Sequence, residues 1–194
     1  MGNITIKNLT FAYPGQAPLF DRCQLSIDGS WKLGLLGRNG RGKTTLMKIL
    51  LDQREFQGQV QSNLPFAYFP QPIADPNAFA WEALSEGNPQ LEQWQVEREL
   101  RLMAVDPVIL WQPFATLSGG EQTKLLLAAL FAQPGSFPLL DEPTNHLDQR
   151  GRRQVADYLQ NKHQGFIITS HDQDFLDRVI DHTLVIERHQ LVLE

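Results

Sequence analysis

The apolar run Trp31–Leu36 leads straight into Gly37-Arg38-Asn39-Gly40-Arg41-Gly42-Lys43-Thr44, and a helix-prone stretch follows from Lys43 to Leu51. No other feature restricts the fold of this chain as much. Glycines at these spacings let the backbone turn several N–H groups toward one point, and a helix opening just after adds the positive end of its dipole. That combination suits a polyphosphate: Lys43 would reach the β- and γ-phosphates, and Thr44 would ligate Mg²⁺. An ordinary glycine-rich turn is the plain alternative, which the strand–loop–helix setting disfavours.

Around this loop, short apolar runs alternate with helical patterns. Ile4, Ile6 and Leu9 lie in a β-like opening that Pro14-Gly15 breaks, and Leu25 with Ile27 suggests a second strand ending at Asp28-Gly29. Phe66–Phe69 reads as a strand closed by Pro70. Beyond Leu117 the pattern predicts a helix over Gly119–Phe131, a strand over Phe137–Leu140 and a helix over Gln149–Gln160. A strand over Gly165–Thr169, a helix over Asp172–Val179 and two short strands follow. Such alternation implies an α/β fold with a mostly parallel, covered sheet. Pro138 removes a ladder donor from its strand, so a local irregularity is expected there.

Residues 72–116 break the alternation and read as a small helical sub-lobe inserted into the α/β core. Val96, Leu100 and Met103 recur at helical spacing opposite Glu97, Arg98 and Arg101. Three of the four tryptophans (Trp81, Trp94, Trp111) gather here and read as packing residues in preference to a base-stacking platform. Arg150, Arg152 and Arg153 read as a solvated helix face.

With 194 residues, 42% of them apolar, the chain can bury a substantial core. Its formal net charge of −5 argues against a protein that coats nucleic acid by charge alone, though not against docking on a structured RNA–protein surface. A lone cysteine, Cys23, excludes an internal disulfide and points to a reducing, cytoplasmic setting. No stretch approaches the roughly 20 apolar residues of a membrane span, so any membrane part is expected from another chain.

Two further segments carry chemistry. Asp141 and Glu142 end the Phe137–Leu140 strand, where Asp141 could hold Mg²⁺ and Glu142 could deprotonate a water; a carboxylate pair capping the next turn is the alternative. Leu117-Ser118-Gly119-Gly120-Glu121 offers a hydroxyl and bare backbone at a helix start, which fits either a terminal phosphate or a plain N-cap.

The phosphate loop, Gln71, Leu117–Glu121, Asp141-Glu142 and Ser170-His171-Asp172 appear in the order found in ATP-binding cassette ATPases. The chain resembles that family over essentially its whole length. The resemblance implies a P-loop NTPase core with a small antiparallel β sub-lobe and the helical insertion, together one nucleotide-binding domain over residues 1–194. It implies Mg²⁺-dependent ATP hydrolysis, with ATP and Mg²⁺ as the bound species. Tyr13 matches the aromatic that stacks on adenine, with Phe11 a second choice and plain core packing the alternative. Gly37, Asn39, Gly40, Gly42, Lys43, Thr44 and Thr45 would hold the phosphates, and Thr44, Gln71 and Asp141 the metal. Gln71, Glu142 and His171 would act on the attacking water. Ser118 and Gly120 would close the site of a different cassette, and Asp148 matches the aspartate that links two sites across a dimer.

Asp141-Glu142-Pro143-Thr144-Asn145-His146-Leu147-Asp148 refines the resemblance. Transporter ATPases usually carry Ser and Ala at the Asn145-His146 positions. The Asn-His form is similar to the ABC-F branch, two-cassette proteins without a membrane domain, and within it to first cassettes of antibiotic-resistance proteins that act on the ribosome. A second cassette, in a longer chain or as a second copy, and the ribosome are the partners this implies. Since ABC-F proteins continue through a long linker, the chain ending at Glu194 is expected to be an N-terminal module. The segment between Gln71 and Leu117 is too short for a long extra arm. The alternative is the nucleotide-binding subunit of a membrane transporter.

Overall fold

The computed structural model describes residues 2–38 and 40–194. Its contacts divide into two units, the first comprising residues 1–68, 135–142 and 162–194, the second residues 69–134 and 143–161.

The first unit opens with a strand whose buried side changes midway. In β1 (Asn3–Phe11), Ile4 and Ile6 are buried, then Leu9 and Phe11, so the alternation slips by one residue. A bulge causes the slip: pairing with β2 (Phe20–Asp28) shifts between Ile6 and Leu9, and Asn8 adopts φ 51°. α1 (Gly40–Leu50) follows β3 (Lys32–Gly37). On the other edge of β1, Gly58 of β4 (Gln57–Ser62) meets the bulge at φ 106°, where a Cβ would stand 2.4 Å from the Asn8 carbonyl oxygen. Only glycine fits that approach. These strands form an antiparallel sheet of order β2-β1-β4. β4 has no signal in the sequence, because Gln57–Ser62 contains one apolar residue, Val60, and pairing with β1 alone makes it a strand.

The second sheet has order β5-β6-β7-β3-β8-β9, from β5 (Phe66–Phe69), β6 (Phe137–Leu140), β7 (Phe166–Ile168), β8 (His182–Glu187) and β9 (Gln190–Leu193). β6, β7, β3 and β8 are parallel neighbours, and β9 closes the edge antiparallel to β8. β6 and β7 are buried at every residue, as expected of strands covered on both faces. Pro138 lies in β6 without the expected irregularity. The Phe137 N–H donates to the Pro65 carbonyl, and pairing with β7 starts only at Leu139, opposite Ile167. The proline therefore precedes the first position at which β7 pairs. α1 packs on β3, and Leu46, Met47 and Ile49 join Ile4, Ile6, Leu33 and Phe137 in one core. α6 (Gln173–Val179) buries Phe175, Leu176 and Val179.

The second unit contains α2 (Ala80–Glu86), α3 (Gln93–Leu102), α4 (Gly119–Phe131) and α5 (Gln149–Gln160). It extends past residues 72–116 because α4 and α5 group with α3. Phe131 meets Tyr158 edge to face at 5.6 Å, and the Tyr158 hydroxyl donates to the buried Glu99 carboxylate. Val96, Leu100 and Met103 are fully buried as their spacing predicts. Two of the tryptophans expected to pack inside do not. Trp94 and Trp111 are about half exposed, and the Arg98 guanidinium lies over the Trp94 ring at 5.4 Å to its centroid. Arg150 and Arg153 are exposed as expected, and Arg152 is half-buried.

Candidate functional site

β3 ends at Gly37 and α1 begins at Gly40, so the glycine loop turns from strand to helix within three residues. Asn39, expected in this loop, lies outside the described residues. The first turn of α1 contains no acidic side chain, and its N–H groups have no partners within the helix. Gly42 is buried, and Lys43 and Thr44 are half-buried on that turn. Thr45, expected among the ligand contacts, is 1% exposed, and its hydroxyl shares a 2.6 Å hydrogen bond with the Tyr13 hydroxyl. The same bond ties Tyr13 beside the start of α1, and Phe11 braces its ring edge to face at 4.9 Å.

Asp141 and Glu142 follow β6, and Thr169, Ser170 and His171 follow the adjacent β7, so all lie at the carboxyl ends of parallel strands. Ligands of open α/β sheets bind at that edge. Glu142 adopts φ 52°, and its N–H donates to the Thr169 hydroxyl at 2.9 Å. Its Oε1 is 3.3 Å from His171 Nε2, while Oε2 is buried and has no hydrogen-bond partner among the described residues. His171 is 81% exposed, so the pair spans from the interior to the surface. A buried carboxylate oxygen without a donor is costly and marks a place where water or a ligand belongs.

Asp141 is held from two sides. Tyr68 donates to Oδ2 at 2.7 Å and Thr169 to Oδ1 at 3.1 Å. Burial, then the carboxylate beside it, push the Tyr68 phenol far above its ordinary value, so it stays a donor. The roles of Tyr68 and Thr169 had no signal in the sequence, since a tyrosine in an apolar strand and a threonine before Ser170-His171-Asp172 are ordinary there.

The remaining residues belong to the second unit. The Gln71 side-chain amide donates to the Leu126 carbonyl at 2.9 Å, leaving its own oxygen buried and without a partner among the described residues. Ser118 caps α4: its hydroxyl accepts the Glu121 N–H at 3.1 Å, and the Glu121 carboxylate accepts the Ser118 N–H at 2.9 Å. The Ser118-x-x-Glu121 spacing is the sequence signal for this capping box. Asp148 likewise caps α5 through the Gly151 N–H at 2.7 Å. Both helix starts open on one cleft, lined by Ser118, Gly120, Lys124, His146, Asp148 and Arg150. Gly119 and His146 approach closely, since a Cβ on Gly119 would stand 3.1 Å from the His146 Cβ.

Among the described residues no three His, Cys, Asp or Glu side chains group as a metal cage. Mg²⁺ needs none, because it draws most of its oxygens from phosphates and water. Among the described residues, each oxygen of Asp141 accepts one hydroxyl and keeps a second lone pair, and the unpartnered Glu142 Oε2 stands on the next residue, so the donor set fits such an ion beside a bound polyphosphate.

A glycine-rich loop between a parallel strand and a helix, with a carboxylate pair following a second parallel strand of the same sheet, one strand away, defines a P-loop nucleoside-triphosphatase core. Residues 20–145 match the ABC transporter family, and the chain belongs to that ATP-binding cassette family. It is 30% identical over 190 residues to mouse ATP-binding cassette sub-family F member 3, covering 95% of this chain and 27% of the relative. It is 30% identical to the ribosome protection protein VmlR of Bacillus subtilis (96% of this chain, 34% of the relative) and 33% identical to the ATP-binding protein Uup of Escherichia coli (80% and 26%). The chain thus spans between a quarter and about a third of these relatives. Its fold matches a bacterial Atm1-family ABC exporter with ATP bound at a TM-score of 0.81 and 17% identity, over 98% of this chain and 38% of that one. No described helix is long and apolar enough to cross a membrane.

Proposed function

We propose that the chain is a cassette of the ABC-F type that binds Mg·ATP, hydrolyses it, and couples that cycle to the ribosome. The contact between Glu142 and His171, with Glu142 Oε2 buried and unpartnered among the described residues, carries the hydrolytic part. In this reading Gly37–Thr44 wraps the phosphates, Lys43 neutralises the β- and γ-phosphates, and Tyr13 stacks on adenine. Mg²⁺, held by Thr44, Gln71 and Asp141, would neutralise charge developing on the β- and γ-oxygens. Glu142 takes a proton from the water attacking the γ-phosphorus, and His171 holds the γ-phosphate in line while the bond to ADP breaks. Ser118 and Gly120 serve the site of another cassette, so a complete site needs two.

The ribosomal part rests on the Asn145-His146 pair, of which His146 lies against Gly119 in the second unit, and on relatives that include a ribosome protection protein. The test is co-sedimentation of the full-length Glu142→Gln protein with 70S ribosomes. ATP-dependent pelleting supports the reading; no pelleting, with specific co-purification of a membrane protein, overturns it in favour of a transporter subunit.

A further inference from the structure

We propose that Tyr68 and Thr169 are positioning residues that fix the Asp141 carboxylate from opposite sides, and that Thr169 thereby sets Asp141 and Glu142 in one register. This inference rests on the reading of Asp141 as a magnesium ligand.

Each oxygen of Asp141 accepts one hydroxyl, from Tyr68 at 2.7 Å and from Thr169 at 3.1 Å. A carboxylate held by a single donor can rotate about its last bond; held at both oxygens it cannot, and its remaining lone pairs point in fixed directions. Metal sites depend on such outer contacts to orient the ligating atom. Thr169 does a second thing. Its oxygen accepts the Glu142 N–H at 2.9 Å while its hydrogen goes to Asp141, so one hydroxyl joins backbone and side chain of consecutive residues. Glu142 stands at φ 52°, a conformation that L-residues keep only when their surroundings hold it. Thr169 is itself fixed, 1% exposed, with its N–H on the Leu140 carbonyl at 2.9 Å. The chain of contacts ties β5, β6 and β7 at their carboxyl ends.

Calorimetric titration of ATP into the intact protein, without divalent ions and across a Mg²⁺ series, tests this on Tyr68→Phe, Thr169→Val and Thr169→Ser, with thermal melts alongside. Tyr68→Phe and Thr169→Val should leave metal-free ATP affinity unchanged and raise the Mg²⁺ needed for half-maximal enhancement about 10- to 100-fold. Thr169→Val should also lower turnover at saturating Mg²⁺, and Thr169→Ser should restore both. Wild-type Mg²⁺ dependence in the variants, with only a lowered melting temperature, overturns the proposal and reduces both contacts to packing. ATP affinity in the wild type that ignores Mg²⁺ overturns the magnesium reading of Asp141 itself.

Discussion

His171 Nε2 sits 3.3 Å from Glu142 Oε1, joining a surface imidazole to a carboxylate whose other oxygen is buried with no donor among the described residues. Each residue stands on the segment that follows a different parallel strand, Glu142 after β6 and His171 after the adjacent β7. Replacing Glu142 by Gln keeps the shape and the contact to His171 while removing the base. Hydrolysis should fall about 10²- to 10⁴-fold with ATP affinity retained. Single-turnover kinetics on the variant check this, and undiminished turnover would remove Glu142 from the chemistry.

Lys43→Ala should weaken Mg·ATP binding by roughly 1.5–3 kcal/mol, the worth of a hydrogen bond to a charged partner, without altering the fold. Calorimetry paired with circular dichroism reads both, and unchanged affinity in a folded variant would refute the assignment of the phosphate loop.

The loop order and the parallel strands were legible because each carries a local signature: glycine spacing, apolar runs, Asp141-Glu142 after one strand and His171 after another. β6, α4 and α5 coincide with the expected spans because their apolar patterns are strong. β4 was invisible, since Gln57–Ser62 acquires its strand from a bulged neighbour and not from its own residues. Tyr68 and Thr169 escaped for a similar reason: their roles come from pairing that brings them to Asp141 across 73 and 28 positions. The exposed Trp94 and Trp111 show that apolar size does not tell which side of a helix layer a ring will occupy.

Turnover per mole should rise with protein concentration, because Ser118 and Gly120 are proposed to complete the site of another cassette. Donors aimed at developing charge are typically worth ~2.7–4 kcal/mol, so a single copy should be slow by a hundred- to a thousand-fold. Light scattering on Glu142→Gln should show a doubled mass with Mg·ATP. A fast, concentration-independent rate from a monomer would contradict the shared site.

Stability should decline in alkali. Burial raises the Cys23 thiol and the Tyr158 phenol, and raises Tyr68 beside its carboxylate. The unfolded chain gives up these protons near about pH 8.5 for Cys and about 10 for Tyr, whereas the folded chain holds them longer. The native state then binds more protons, so this contribution is complete below about pH 8.5 and is lost as pH rises through that window. Tyr158→Phe should cost ~1–3 kcal/mol at neutral pH, since buried Glu99 loses a donor, while flattening the alkaline decline. Urea unfolding at pH 7.5 and 10.5 separates the two effects, and an equally steep decline in the variant would rule out Tyr158 as its source.

The cap of α4 has a consequence for how genetics at this position must be read. The Ser118 oxygen already accepts the Glu121 N–H, and its one hydrogen is the donor it can offer to a group in the cleft that Ser118 lines. The atom that starts the helix is therefore also the atom that would greet a phosphate. Ser118→Ala removes both at once, and a dead variant would not tell a lost ligand contact from a frayed helix. Ser118→Asp separates them, because aspartate caps a helix as well as serine does but offers no hydrogen and repels an anion. Full stability with abolished nucleotide-driven association in that variant would make the loss one of recognition, and the helix start would act as a receptor whose occupancy the protein can sense.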